Sequence, residues 1–121
     1  MERKNSIILS GDKADVSVSV FLFKDGGAYV AYCPSLDISG YDTTEESAME
    51  DFRYMLCEWL KEQLSNGTLQ QDLAGHGWKV GGDVATEPSF ADLMRRNRST
   101  GRILSMPEYR KTNVRTGIFC R

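Results

Sequence analysis

Apolar and polar residues alternate at the start of residues 16–23, VSVSVFLF, and apolar residues recur at steps of three and four through residues 48–64. The first period is that of a strand and the second that of a helix. In the strand, Val16, Val18, Val20 and Leu22 share one face, and Ser17, Ser19, Phe21 and Phe23 the other. The phenylalanines at its end predict cover on both faces. Lys24-Asp25-Gly26-Gly27 then predicts a hairpin turn, because Asp-Gly supplies the positive backbone angles of a primed turn. Residues 28–33 return as a second strand. Pro34 ends it, having no amide for a ladder. Residues 36–39 predict a third short strand, and Gly40-Tyr41-Asp42 leads into the helix. Thr43 to Glu46 fits a capping box, with the Thr43 hydroxyl accepting from the Glu46 amide and Glu46 reaching back. The helix stripe is Ala48, Phe52, Met55, Leu56, Trp59, Leu60 and Leu64, and Gly67 is its left-handed stop.

Further along, residues 68–73 read as a short helix or turn, and Trp78-Lys79-Val80 as a fourth strand. Gly81-Gly82-Asp83 marks a boundary between a core domain over 1–82 and an extension over 83–121. In the extension, Ser89 is placed to cap a helix over 90–97, residues 100–106 offer another helical turn, and residues 109–120 have extended character. Residues 1–15 are polar, with the first few expected to be loose. The expected fold class is α+β: a three- to four-stranded, mainly antiparallel sheet packed on one long helix, followed by a helical and extended C-terminal extension.

Composition sharpens this reading in one respect. Residues 1–94 carry seven Lys/Arg against sixteen Asp/Glu, a balance of −9, whereas residues 95–121 carry eight Lys/Arg against Glu108 alone, a balance of +7. A basic tail on an acidic body either binds an anionic partner such as nucleic acid, through Arg95, Arg96, Arg98, Arg102, Arg110 and Arg115, or folds back on the body or on a twin. Cys33, Cys57 and Cys120 form neither a metal-spaced pair nor a disulfide framework. With no secretory signal and no long apolar run, a reduced cytoplasmic protein is expected.

Candidate chemistry is sparse. His76 is the sole histidine, stands in a Gly-His-Gly turn and has no identifiable partner for acid–base work. Neither Gly26-Gly27 nor Gly81-Gly82 is followed by the Lys-Ser/Thr of a phosphate loop. No catalytic residue, metal or cofactor is assigned. Aromatic residues concentrate in the central stretch, and Tyr32, Pro34, Leu36 and Tyr41 at the proline corner are the candidate partner-binding surface.

That central stretch carries a resemblance. Tyr29-Val-Ala-Tyr-Cys-Pro-Ser-Leu36, then Gly40, then Asp42-Thr43 followed by Glu45-Glu46-Ser47-Ala48, is similar to the HicB antitoxins of HicA–HicB toxin–antitoxin pairs, over roughly residues 16–80. The resemblance implies a partial RNase H-like fold without nuclease activity. It also implies a partner, a small RNA-cleaving HicA-type toxin whose active surface the antitoxin covers. Within it, Pro34, Leu36, Gly40, Asp42, Thr43 and Glu46 would shape the strand–turn–helix corner. Two departures stand out: Asp37-Ile38-Ser39 replaces the small residues usual after the proline, and residues 83–121 resemble no operator-binding domain. The expectation is a non-catalytic antitoxin, with a nucleic-acid-binding regulator and an orphan homodimeric module as alternatives. A homodimer is expected on general grounds, because exposed sheet edges pair across two-fold axes.

Overall fold

The computed structural model describes residues 5–11, 13–96, 101–103 and 108–119. In chain order the elements are β1 (Ser6–Ser10), β2 (Lys13–Asp25), β3 (Ala28–Cys33), β4 (Ile38–Asp42), α1 (Glu45–Asn66), α2 (Leu69–Gly75), β5 (Lys79–Gly81), β6 (Val84–Thr86), α3 (Phe90–Arg96) and β7 (Arg110–Phe119). The protein is α+β, and among the described residues its strands form one seven-stranded sheet rather than one of three or four strands. Every pairing is antiparallel.

The sheet is organised by β2, whose 13 residues make it its longest strand. On one edge, β7 pairs with it without a break from Lys13↔Phe119 to Leu22↔Arg110. On the other edge, β1 pairs with residues 13–16 and β3 with residues 21–25. Two strands thus share one edge, and between them residues 17–20 of β2 meet no strand on that side among the described residues. From β3 the sheet continues to β4, and from β1 to β6 and β5.

The extension is therefore not set apart from the sheet. Residues beyond 82 supply β6, which pairs with β1, and β7, which pairs with β2. The expected fourth strand at Trp78-Lys79-Val80 is β5, one residue on, and the extended stretch over 109–120 contains β7. The strands not expected are β1 and the three-residue β6. β1 lies in the stretch read as polar, yet Ile7 is buried against the core.

One face of the sheet packs on α1. Val16, Val18, Val20 and Leu22 meet Ala48, Phe52, Leu56 and Leu60, joined by Ile7, Ala31, Val114 and Ile118. Burying a side chain such as Phe52 or Leu56 contributes about 1.5–3 kcal/mol. Met55, expected in this stripe, is exposed, while Trp59 and Leu64 are partly buried at its margin. On the opposite face, Phe21 and Tyr32 bury Ile103, and the Phe21 ring lies 6.1 Å from Phe90 and 6.0 Å from Tyr109. The extension thus covers the second face at the end of β2, where Phe21 and Phe23 predicted cover.

Two local details differ from expectation. The α1 cap is Thr44, not Thr43: its hydroxyl accepts from the Ser47 amide at 3.1 Å, and the Ser47 hydroxyl accepts from the Thr44 amide at 3.2 Å. Thr43 instead donates its amide to Asp42 Oδ1 at 2.7 Å. The third strand is Ile38–Asp42, shifted from residues 36–39, because Leu36 lies in the corner with its amide bonded to the Cys33 carbonyl. The hairpin at Gly26 (φ 63°) and the α1 stop at Gly67 (φ 68°) form as predicted. Among the described residues no helix is long and apolar enough to cross a membrane.

Candidate partner-binding surface

The corner between β3 and β4 turns inward. Tyr32, Pro34 and Leu36 are all buried, and the Tyr32 hydroxyl donates to Asp37 Oδ1 at 2.8 Å. Three of the four residues expected to meet a partner therefore anchor the corner within this chain. The reason is tertiary: Leu36 enters the α1-side core, and Tyr32 is covered by Ile103 on the other face. Tyr41 is the fourth, and it is 67% exposed.

Tyr41 belongs to a larger surface. Its amide donates to Asp51 Oδ2 at 3.0 Å, which ties β4 to one flank of α1. One turn on from Asp51 come Tyr54, 63% exposed, and Met55, 44% exposed, followed at helical spacing by exposed Glu58 and Glu62. This flank shows solvent two tyrosines and a methionine among the carboxylates of Asp42, Asp51, Glu58 and Glu62. Its base is rigid. At Gly40, beneath Tyr41, a Cβ would lie 2.7 Å from Phe52 Cα and 2.8 Å from Ala48 O, so β4 meets the helix backbone without an intervening side chain. Carboxylates outnumber the one cation at this spacing, Lys61, and such a surface around exposed aromatics suits a cationic protein surface better than nucleic acid.

The arginines are not brought together. Arg110 reaches the α1 side and pairs with Glu45 at 2.7 Å, whereas Arg115 stands opposite Ser17 on the other face. Arg95 pairs with Asp92 on α3, which holds the Asp92 carboxyl below its usual range. Arg96 lies against Gly77, and Arg102 is exposed beside the buried Ile103. Arg98 and Cys120 lie outside the described residues.

A polar cluster that sequence reasoning missed fills the gap between β1 and β3. Glu87, just after β6, accepts from the Ser19 amide at 3.1 Å, the Ser19 hydroxyl at 3.0 Å, Asn5 Nδ2 at 3.0 Å and the Ser35 hydroxyl at 2.6 Å. Asn5 also accepts from the Ser17 hydroxyl at 2.7 Å. The carboxylate thus takes a β2 amide that no strand accepts and ties it to the proline corner. Behind Ser35, burial pushes the Cys33 thiol up from 9.0 to about 12; the Ser35 contact opposes this and the charge of Glu87 adds to it. A cleft of about 360 Å³ adjoins the cluster, walled by Phe90, Leu93 and Lys111. The one sequence signal was two serines on a strand whose end is apolar on both faces.

His76 is a turn residue. Its Nδ1 contacts the Asp72 carbonyl at 2.9 Å at the end of α2. Among the described residues, no group of three or more His, Cys, Asp or Glu is placed to hold a metal ion. Comparison of the chain with protein-family models, with curated proteins and with solved structures finds no match.

Proposed function

We propose that this chain is a HicB-like antitoxin, a non-catalytic protein that binds and neutralises an RNA-cleaving toxin of HicA type. The observation that carries the reading is the acidic surface around Tyr41, Tyr54 and Met55, raised on the strand–corner–helix unit whose sequence resembles HicB. A protein that grips RNA presents basic residues, and such a surface is complementary to carboxylates. The aromatics supply the anchors that dominate binding energy at interfaces, and the carboxylates speed encounter. The reading places the cytoplasm as the site of action, since RNA is the toxin's target.

The test is capture with the tagged full-length chain from its native cell extract, identification by mass spectrometry, and an RNA-cleavage assay of the captured protein with and without the chain. The expected result is a small basic ribonuclease, recovered in stoichiometric amount and silenced by the chain. A captured protein that does not cleave RNA, or one whose cleavage the chain leaves unchanged, overturns the reading. Recovery of nucleic acid alone would move the function to the arginines.

A further inference from the structure

The sheet has three outer edges, and they are not alike. β4 ends the path on one side with five residues and β5 on the other with three. β7 is a ten-residue strand held by β2 on one edge, and among the described residues nothing pairs with its other edge. Proteins guard long edges with proline, a bulge, or charges aimed across the edge. β7 contains no proline, and its register against β2 runs unbroken, so it holds no bulge. Two of its cations are drawn to their own chain, Arg110 to Glu45 and Lys111 over the Phe90 ring at 5.1 Å, and Arg115 lines a cleft that Asp15 also lines.

The backbone groups that face outward can be assigned. The Ser19 amide bonds Glu87 on the β1/β3 edge, so the odd-numbered residues of this part of β2 point away from β7 and the even-numbered ones toward it. On β7, Arg110, Thr112, Val114, Thr116 and Ile118 oppose those even positions and bond β2. Lys111, Asn113, Arg115 and Gly117 therefore point their amides and carbonyls outward, where no strand among the described residues meets them.

We propose that this edge pairs antiparallel with β7 of a second copy, about a two-fold axis at Val114. An axis perpendicular to the sheet keeps each face on its own side, so opposed residues must share a face. With the axis at Asn113, Lys111 would oppose Arg115; with the axis at Arg115, two arginines would meet. With the axis at Val114, Asn113 opposes the partner's Arg115, Lys111 the partner's Gly117 and Thr112 the partner's Thr116, and no like charges oppose. The outward groups then fall into four bonded pairs that exchange about eight main-chain hydrogen bonds. This pairing stands apart from the antitoxin reading and leaves the Tyr41 surface of each copy free, at the far side of β2, β3 and β4.

Sedimentation of the full chain from about 1 to about 100 μM tests it. The expected species is a dimer that dissociates on dilution. Arg115→Pro removes an outward amide while leaving the β2 ladder its bonds, and raises the dissociation constant at least about tenfold; Arg115→Ala leaves it nearly unchanged. Asn113→Lys sets a lysine against the partner's Arg115 twice per dimer and weakens the dimer by about tenfold at low salt, with partial recovery at high salt. Should Arg115→Pro fail to fold by circular dichroism, Asn113→Lys decides. A wild-type monomer at the highest concentration overturns the proposal, as does a dimer that Asn113→Lys leaves unweakened.

Discussion

Replacing Glu87 with alanine removes the acceptor that fills the gap in the sheet. Four donors lose their partner: the Ser19 amide, the Ser19 hydroxyl, Asn5 Nδ2 and the Ser35 hydroxyl. Two have alternatives already in place, since Asn5 Nδ2 also donates to Ser19 Oγ at 2.9 Å and the Ser19 hydroxyl can turn. The Ser19 amide has no strand to go to, and Ser35, fully buried, keeps only a contact with Cys33 Sγ at 3.3 Å. A buried donor left without an acceptor costs about 1–3 kcal/mol. Water entering from the adjoining cleft offsets part of that. Glu87→Ala is therefore expected to lose about 2–4 kcal/mol. Urea denaturation followed by Trp fluorescence reads this as a midpoint lower by about 1–2 M at an unchanged slope. Glu87→Gln keeps the shape and one acceptor oxygen, and is expected to lose about half as much. Glu46→Ala, on the exposed first turn of α1, should stay within about 0.5 kcal/mol of wild type. If Glu87→Ala also stays within about 0.5 kcal/mol, or if Glu87→Gln is as damaging as Glu87→Ala, the carboxylate is not acting as a substitute for strand pairing.

Other outcomes are expected from the same geometry. Gly40→Ala drives a methyl into the α1 backbone at Phe52 and Ala48, so a loss above about 2 kcal/mol in the same denaturation assay is expected; tolerance would mean that β4 is not seated on the helix. Tyr54→Ala and Glu58→Lys should each leave stability within about 0.5 kcal/mol and weaken binding of the captured toxin about tenfold or more, measured by calorimetry; unchanged affinity for both would remove α1 from the interface. Cys33 should resist iodoacetamide at pH 8 while the less buried Cys57 reacts, and equal labelling rates would contradict its burial. The unfolded Cys33 thiol ionises near 9.0 and the folded one near 12, so the unfolded state releases its proton first and stability falls as pH rises between those values. Cys33→Ala should flatten that fall.

Local structure was legible because local physics decides it. The β2–β3 hairpin follows from the positive φ that Gly26 adopts, and the end of α1 from Gly67. The core stripe Ala48, Phe52, Leu56 and Leu60 follows from helical period. The cap slipped by one residue because Thr43 and Thr44 are chemically equal, and Ser47 can do from Thr44 what Glu46 was expected to do from Thr43. Position along the chain could not say which threonine leaves the β4 geometry first.

What only the tertiary structure decided is set by contacts between residues far apart in sequence. Val18 meets Val114 and Ser19 meets Glu87, and no periodicity within one segment encodes either meeting. For that reason a tail that reads as a basic appendage supplies the central strand's longest partner, and a glutamate in a loop completes the sheet. The same contacts changed the candidate surface. Tyr32, Pro34 and Leu36 have the chemistry of an interface but are buried, Tyr32 against Ile103 and Leu36 in the α1-side core, while Met55, which the helical period draws toward the core, faces solvent beside Tyr54. The sequence by itself determined the β2–β3 hairpin, the long helix α1 and its stop, because those choices rest on neighbouring residues and backbone angles. Which faces stay open was decided by how the last forty residues close over the first eighty, a balance of burial that exists only once the chain has folded.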